Sequence, residues 1–283
     1  MTAPLTLAIF TAPAQPVNIP MPAPEGGWTW PSTSVTLVSG EREAILVDTV
    51  PGVADSQRLA DWIEASGKEL TSIYITHGHF DHFLGAAALV QRFPKARVLA
   101  TRPTVDLIAE EAETRKELAN YTPMFVQEIG SEIVVPEAVV NGRIELEGHE
   151  ILAVPTGQSD VSDSSYVHIP ELKAVIVGDI AYGDVHPTLV DSTPETRRNW
   201  IKTLEAIQLL KPETVVPAHR SAESALGGEV LDATIAYVRD ANELLATNPT
   251  AEEFTTKMLA AHPDRINLST LLFGTALLGL RQA

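Results

Sequence analysis

The chain has 283 residues and a net charge of −17, because 37 acidic residues outweigh 20 lysines and arginines. Such an acidic chain repels phosphate backbones, and no local basic cluster offsets this, so we expect no nucleic-acid partner. Cysteine is absent, which excludes disulfides and thiolate metal ligands.

The apolar segments at the two ends of the chain predict neither a secretory signal nor a membrane span. The opening MTAPLTLAIF has no lysine or arginine before its apolar run and predicts a first strand. The late apolar stretch LSTLLFGTALLGL, residues 268–280, is too short to cross a bilayer and is expected to pack as a helix. The sequence therefore predicts a soluble, cytoplasmic protein without a membrane partner.

Strand and helix patterns alternate along the chain. A proline-rich arm over residues 11–31 is followed by a predicted hairpin, STSVTLVSG and EAILVDTV. Helix patterns then follow Pro51, Asp81, Pro103 and Pro194, and strand patterns cover residues 96–100, 151–155, 173–178 and 214–217. This alternation predicts an α/β layered domain. From about residue 223 onward the pattern is helical, so we expect a single domain over residues 1–283 with a helical C-terminal extension at about 223–283.

The segment HGHFDH, residues 77–82, contains three of the eight histidines of the chain. The preceding TSIYI predicts a buried strand and the following FLGAAALVQRF predicts a helix, which places the histidines in a strand-to-helix loop. In α/β sheets, such loops beyond the carboxyl ends of strands bind ligands. Imidazole and carboxylate groups suit a divalent ion such as zinc. We therefore predict a metal site here rather than histidines that only satisfy local hydrogen bonds.

Four other strand patterns also end in a polar residue of ligand type, namely Asp48, Gln158, Asp179 and His219. Taken singly, an aspartate after a strand is often a turn residue or helix cap, and a lone histidine there is more often simply hydrogen-bonded. Because strand ends can meet at one edge of a layered domain, these residues and the histidine loop together predict one shared site.

The motif THGHFDH, followed by GD at 178–179 and PAH at 217–219, resembles the metallo-β-lactamase superfamily over about residues 35–219. The resemblance implies an αββα four-layer sandwich that holds one or two divalent ions, zinc in the first instance, at one edge of the paired sheets. The ligands it implies are His77 and His79 for the first ion, Asp81, His82 and His219 for the second, and Asp179 between them. Asp48 is expected to hold the motif loop without touching metal.

One residue departs from the family pattern. Where the family usually has a third histidine for the first ion, this chain has Gln158, between Gly157 and Ser159. An amide oxygen is a weaker zinc ligand than imidazole, so we expect the first ion to be held less tightly. Asp160 and Asp163 follow in the same loop and could assist, although loop capping explains them more simply. Three states are compatible with this departure: two ions with Gln158 as a ligand, one ion at the second position, or loss of hydrolysis.

The implied chemistry is attack of a metal-bound hydroxide on a carbonyl carbon, with Asp81 as the catalytic residue that orients it and accepts a proton. We therefore predict a metallo-hydrolase for a small ester, lactone or thioester substrate. The alternative is a catalytically weak or inactive member of the same fold that binds a small molecule or partner in the same cleft.

Aromatic residues near the strand ends are candidates for the substrate pocket. The predicted pocket residues are Trp28, Trp30, Tyr182 and His186. Tyr121, Met124 and Phe125 are candidates for an apolar lid. The same aromatic residues could instead belong to the core or to a homodimer contact.

Overall fold

The computed structural model describes residues 3–280, so residues 1–2 and 281–283 of the predicted domain lie outside the described residues. The strands are β1 (Thr6–Ala12), β2 (Gln15–Pro16), β3 (Thr29–Trp30), β4 (Thr33–Ser39), β5 (Glu43–Val47), β6 (Glu69–Ile75), β7 (Arg97–Ala100), β8 (Glu137–Ala138), β9 (Arg143–Leu146), β10 (His149–Gly157), β11 (Ser164–Ile169), β12 (Ala174–Gly178) and β13 (Thr214–Pro217). The helices are α1 (Val53–Ala65), α2 (Phe80–Phe83), α3 (Ala86–Arg92), α4 (Arg102–Thr114), α5 (Lys116–Tyr121), α6 (Pro194–Leu209), α7 (Glu229–Leu245), α8 (Ala251–Ala261) and α9 (Leu268–Leu277).

Two sheets pack face to face through an apolar layer. The first sheet has the strand order β1-β4-β5-β6-β7-β8 and the second has the order β13-β12-β11-β10-β9. Ile45 and Tyr74 of the first sheet and Val167 and Ile176 of the second belong to one buried cluster. Alternating residues of a strand point to opposite faces of its sheet. Every second side chain of these strands therefore points into the layer between the two sheets.

Helices cover the outer face of each sheet. On the first sheet, buried residues of α1, α3 and α4 form one cluster with the strands, including Ile63, Leu89 and Ile108. On the second sheet, α6, α7 and α8 do the same with residues such as Trp200 and Phe254. The layers therefore run helix, sheet, sheet, helix, which confirms the predicted αββα sandwich.

The helical C-terminal region, expected from about residue 223, consists of α7, α8 and α9 and the short turns between them. The last helix lies beside the N-terminal arm, where Ser269 Oγ accepts a hydrogen bond from the backbone N–H of Thr29 at 2.9 Å. None of the helices within residues 3–280 is long and apolar enough to cross a membrane.

The strand directions bring several carboxyl ends to one edge of the sandwich. The strands β5 and β6 run parallel in the first sheet, and β12 and β13 run parallel in the second. The two sheets touch at this edge, where the backbone N–H of Ser165 donates to the Thr76 carbonyl at 3.0 Å. Residues that follow these strands therefore meet at one place.

Candidate metal centre

The HGHFDH loop leaves β6 and turns into the short helix α2. His77 and His82 are buried, with exposed fractions of 1% and 0%, whereas His79 is partly exposed. The ring centroids of His77 and His82 are 4.1 Å apart, and those of His77 and His79 are 4.9 Å apart. Burying imidazoles this close together is unfavourable unless their nitrogens have partners.

Asp48 holds this loop from behind. Its carboxylate accepts hydrogen bonds from the backbone N–H of Thr76 at 2.8 Å and from Thr76 Oγ1 at 2.9 Å. Asp48 Oδ2 also lies 3.3 Å from His82 Nδ1. Asp48 itself has a left-handed backbone with φ of 63°, which a non-glycine residue adopts at some cost. Its position matches the orienting role that the resemblance implies.

The first group of ligand-type side chains is His77, His79, Asp160 and Asp179, whose nitrogen and oxygen atoms lie within 4.8 Å of one another. His79 Nδ1 is 3.0 Å from Asp160 Oδ2 and 3.2 Å from His77 Nε2. His77 Nδ1 is 3.0 Å from Thr76 Oγ1, so its other ring nitrogen faces the group.

The second group is Asp81, His82 and His219, which meet the same distance limit of 4.8 Å. His219 Nε2 lies 3.3 Å from Asp81 Oδ2, and its Nδ1 lies 2.8 Å from the carbonyl of Ser32. Since a carbonyl only accepts hydrogen bonds, Nδ1 carries the proton, and in the neutral ring Nε2 then offers its lone pair to the site. Such partners fix the ring orientation of metal-binding histidines.

Asp179 lies between the two groups. Its Oδ1 is 3.5 Å from His82 Nε2, and its Oδ2 is 3.3 Å from His219 Nε2. The phenol of Tyr182 donates a 2.9 Å hydrogen bond to Oδ2. The structure thus places Asp179 where a carboxylate could serve both groups.

The residues of this cluster fit a divalent cation. His82 Nε2, Asp160 Oδ2 and Asp179 Oδ1 are buried atoms without a hydrogen-bond partner among the described residues. Burial opposes protonation, but Asp160 raises the pKa of His79 and Asp179 raises the pKa of His219, each to about 10. Asp160 and Asp179 therefore favour positive charge at this point, and the mixture of imidazole nitrogen and carboxylate oxygen suits zinc or a related ion.

Asp160, rather than Gln158, is the side chain of this loop that contacts the histidines of the first group. The Gln158 side-chain N–H group donates to the carbonyls of Ser159 at 3.2 Å and Asp191 at 3.3 Å. Asp160 Oδ1 accepts a hydrogen bond from Ser159 Oγ at 2.8 Å, while its Oδ2 faces His79. Loop capping is the simpler interpretation of Asp160 from sequence. In the structure Asp160 both bonds to Ser159 within the loop and lies beside His79. Its position two residues after Gln158 is the signal that made it a candidate in the sequence.

A cleft of about 850 Å³, measured with its open mouth, leads to the cluster. Its floor includes His79, Asp81, Asp179, Tyr182 and His219. Its walls include the aromatic residues Trp30, Phe80, Tyr121 and Phe273, and the acidic residues Glu117 and Asp191 lie along it. A concave, mostly apolar cleft with a few convergent polar groups is the usual form of a small-molecule site.

Two predicted pocket residues, Trp30 and Tyr182, line this cleft, and the structure places the other two elsewhere. Trp28 is buried in the core of the first sheet and its indole N–H donates to the Met21 carbonyl at 3.1 Å. His186 is fully buried, with Nδ1 3.3 Å from the Tyr237 hydroxyl. The sequence could not distinguish the two tryptophans. The arm is irregular, so its residues show no helical or strand periodicity that would indicate which side chains are buried.

The aromatic residues expected to form a lid divide between the cleft and the core. Tyr121 lines the cleft, and its ring packs against Phe80 with centroids 4.7 Å apart. Phe125 is buried and packs behind Trp30 at 5.5 Å between centroids. Met124 is half-buried against the same core. Of these three residues, Tyr121 belongs to the aromatic wall of the cleft, while Phe125 and Met124 pack into the core.

Comparisons with known proteins agree with this architecture. A family model described as "Metallo-beta-lactamase superfamily" matches residues 28–219. A protein of Aeropyrum pernix described as a UPF0173 metal-dependent hydrolase is 25% identical over 201 residues, which cover 68% of this chain and 81% of that protein.

Solved structures with the same fold include a metallo-beta-lactamase family protein from Thermus thermophilus. It has 20% identity and a TM-score of 0.60, and the match covers 94% of this chain and 91% of that one. A metallo-beta-lactamase from Pontibacter korlensis has 18% identity and a TM-score of 0.60, with 83% and 99% of the two chains covered. At these identities the likeness shows the fold alone.

Proposed function

Because the chain belongs to the metallo-β-lactamase superfamily, we propose that it is a metal-dependent hydrolase acting on a small ester, lactone or thioester. The observation that carries this proposal is the convergence of two groups of ligand-type side chains at the floor of a cleft with an aromatic wall. The relative described as a metal-dependent hydrolase supports the same reaction class.

The side chains that would hold metal are His77, His79 and Asp160 on one side and Asp81, His82 and His219 on the other, with Asp179 between them. A divalent ion such as zinc, when bound, supplies Lewis acidity that lowers the pKa of water to about 7 and polarises a substrate carbonyl. Asp48 and the Ser32 carbonyl keep the imidazoles of His82 and His219 turned toward the site.

Asp81 is the residue best placed to handle protons. Burial opposes its ionisation, but His82 and His219 hold its pKa well below the usual range, so it is a carboxylate at neutral pH. It lines the cleft, where it can orient water and accept a proton. Tyr182 stays protonated, because burial raises the pKa of its phenol well above the ordinary value, and so it continues to donate to Asp179.

The proposal is tested with the purified chain and a panel of aryl esters, lactones and thioesters. We expect turnover of at least one class, its loss after chelation, and its return with added zinc. Asp81→Asn should lower kcat by about 100-fold or more, since general acid–base groups contribute factors of that size. A metal-loaded chain that turned over no member of the panel would instead favour a protein of the same fold that only binds a ligand in this cleft.

A further inference from the structure

The cleft combines an apolar wall with acidic side chains. Of its acidic and histidine lining residues, His79, Asp81, Asp179 and His219 belong to the floor, while Glu117 and Asp191 lie outside the two ligand groups. No lysine or arginine is present in the lining that residues 3–280 provide. Within this lining, positive charge is therefore offered to a substrate only at the floor, by its histidines or a bound ion, and not along the wall.

Glu117 has an oxygen that lacks a partner. Its Oε2 is buried and accepts no hydrogen bond within the described part of the chain. Leaving such an acceptor unpaired is costly, and an ammonium group is the partner a carboxylate prefers. Burial raises the pKa of this carboxyl most; His79 lowers it, the nearby acidic side chains raise it again, and the net pKa is about 7. A cation bound beside it would relieve that cost.

The residue one helical turn after Glu117 is Tyr121, on the same short helix α5. Residues four apart share one face of a helix, and both side chains line the cleft. The Tyr121 ring is in edge contact with Trp30, with centroids 5.7 Å apart. A carboxylate beside aromatic faces is the combination that binds ammonium groups, through an ion pair and cation–π attraction.

We propose that Glu117 is a specificity-determining residue that selects substrates carrying an apolar chain and an ammonium group, and that the cleft rejects carboxylate or phosphate analogues. This inference rests on the proposed hydrolase function for its substrate and adds no chemical step to it. Divalent ions at the floor would be largely balanced by Asp81, Asp160 and Asp179, so the charge along the wall is set by Glu117 and Asp191.

The test compares para-nitrophenyl esters of aminohexanoate, heptanoate and the adipate monoester, which have a cationic, neutral or anionic end on chains of similar length. We expect kcat/KM for the cationic ester to exceed that for the anionic one by about 10-fold or more, because one desolvated ion pair is worth that factor. Glu117→Gln should remove most of this preference, and Asp191→Asn should reduce it less, because its side chain is 63% exposed.

Glu113→Gln is the matched control, since Glu113 is exposed on α4 and the substitution changes the net charge equally. It should keep the wild-type ratio of kcat/KM values. A ratio near one in the wild type, or an equal loss of preference in Glu113→Gln, would overturn the assignment of Glu117 while leaving the hydrolase proposal intact.

Binding is measured separately with hexylammonium and hexanesulfonate, by the shift in Tm of the metal-loaded chain. We expect stabilisation by hexylammonium alone, and its loss in Glu117→Gln. If no ester is hydrolysed but this difference is found, the hydrolase proposal fails and the cation site stands. Equal shifts with both probes would overturn the cation site.

Discussion

The indole N–H of Trp30 donates a 2.9 Å hydrogen bond to Oδ2 of Asp81. This contact ties the N-terminal arm to the HGHFDH loop and fixes one oxygen of the carboxylate. The other oxygen, Oδ1, lies 3.7 Å from His82 Nε2. Trp30 is thus a positioning residue for the carboxylate to which we assign proton transfer, as well as part of the aromatic wall.

Replacing Trp30 with phenylalanine should disturb that carboxylate while keeping most of the wall. We expect kcat on a responsive ester to fall by about 10- to 100-fold, because loss of an outer hydrogen bond to a metal-binding residue has effects of this size. Metal affinity and kcat are to be measured together, by metal analysis after dialysis and by steady-state kinetics.

Trp28→Phe is the control for this substitution. It removes an indole N–H that bonds to the Met21 carbonyl, inside the core of the first sheet. We expect it to lower Tm with little change in kcat. A Trp30→Phe chain with unaltered kcat and metal content would show that the hydrogen bond to Asp81 has no functional weight.

Metal content should depend on Asp160 and be insensitive to Gln158. Asp160 Oδ2 faces His79, whereas the Gln158 amide donates to backbone carbonyls. Asp160→Asn should therefore lower the affinity for one ion by at least about 10-fold. Gln158→Ala, in the same loop, should retain the parent's metal content through mild dialysis.

The sequence alone predicts that the ion on the His77 side is the weaker one, since Gln158 replaces an imidazole. A parent chain that holds two ions with equal firmness would show that Asp160 fully replaces the missing ligand. Loss of an ion in Gln158→Ala, with none lost in Asp160→Asn, would reverse our assignment.

Gly178 lies where the end of β12 passes close to Thr76, which follows β6 of the other sheet. A Cβ atom there would lie 2.5 Å from Thr76 Oγ1, and the residue has φ of +52°. Gly178→Ala should destabilise the chain by about 2–4 kcal/mol, from the backbone cost and the clash together. It should also weaken metal binding, because Thr76 Oγ1 contacts both Asp48 and His77.

Gly157→Ala separates these two costs. Gly157 has φ of +74°, but a Cβ atom there would meet nothing within 4 Å. We expect the free energy of unfolding to fall by about 1–2 kcal/mol from the backbone cost alone, and the metal affinity to stay unchanged. Denaturant unfolding of both variants measures the difference, and equal losses would mean that the contact with Thr76 relaxes freely.

Glu117 should make stability depend on pH. Its pKa in the folded chain is about 7, above its ordinary value of 4.5. The folded state therefore binds this proton more tightly than the unfolded state, and the associated stability, fully present below 4.5, is lost as pH rises toward 7. Glu117→Gln removes the titration, so it should gain stability relative to wild type at higher pH.

From pH 5 to pH 8, the stability of Glu117→Gln relative to wild type should rise by on the order of 1 kcal/mol, after allowance for solvent in the cleft. Metal-free protein is the proper sample, since an ion at the floor would shift this pKa. Thermal unfolding at the two pH values gives the measurement, and Glu113→Gln should show no such change. A constant difference between Glu117→Gln and wild type would contradict the raised pKa.

The layered fold and the meeting of strand ends are predictable from the sequence because both depend on local patterns. Asp179 and His219 follow short apolar runs, and the parallel pairs β5-β6 and β12-β13 bring such ends together. The strand β11 was missed, although it is central to the second sheet. Its sequence SSYVHI begins with two serines, of which Ser165 bonds to the Thr76 carbonyl of the other sheet, so it lacks a continuous apolar run.

The contacts of loop side chains were beyond sequence reasoning for a different reason. Asp160 and Asp163 look alike in sequence, and only the loop conformation turns Asp160 toward His79. Trp28 and Trp30 also look alike, and only the path of the arm puts one indole in the core and the other against Asp81. Such orientations depend on tertiary packing, which cannot be inferred from a short stretch of sequence.

The ligand groups draw on both sheets, since His77 follows β6 in the first and His219 follows β13 in the second. Residues so distant along the chain come together only when the two sheets dock, and we expect this step to be late because non-local contacts form slowly. An ion bound by residues of both sheets would then stabilise the native state but not the transition state for folding. Metal should then slow unfolding of the chain while leaving its folding rate nearly unchanged, so that the lifetime of the native state depends on metal supply.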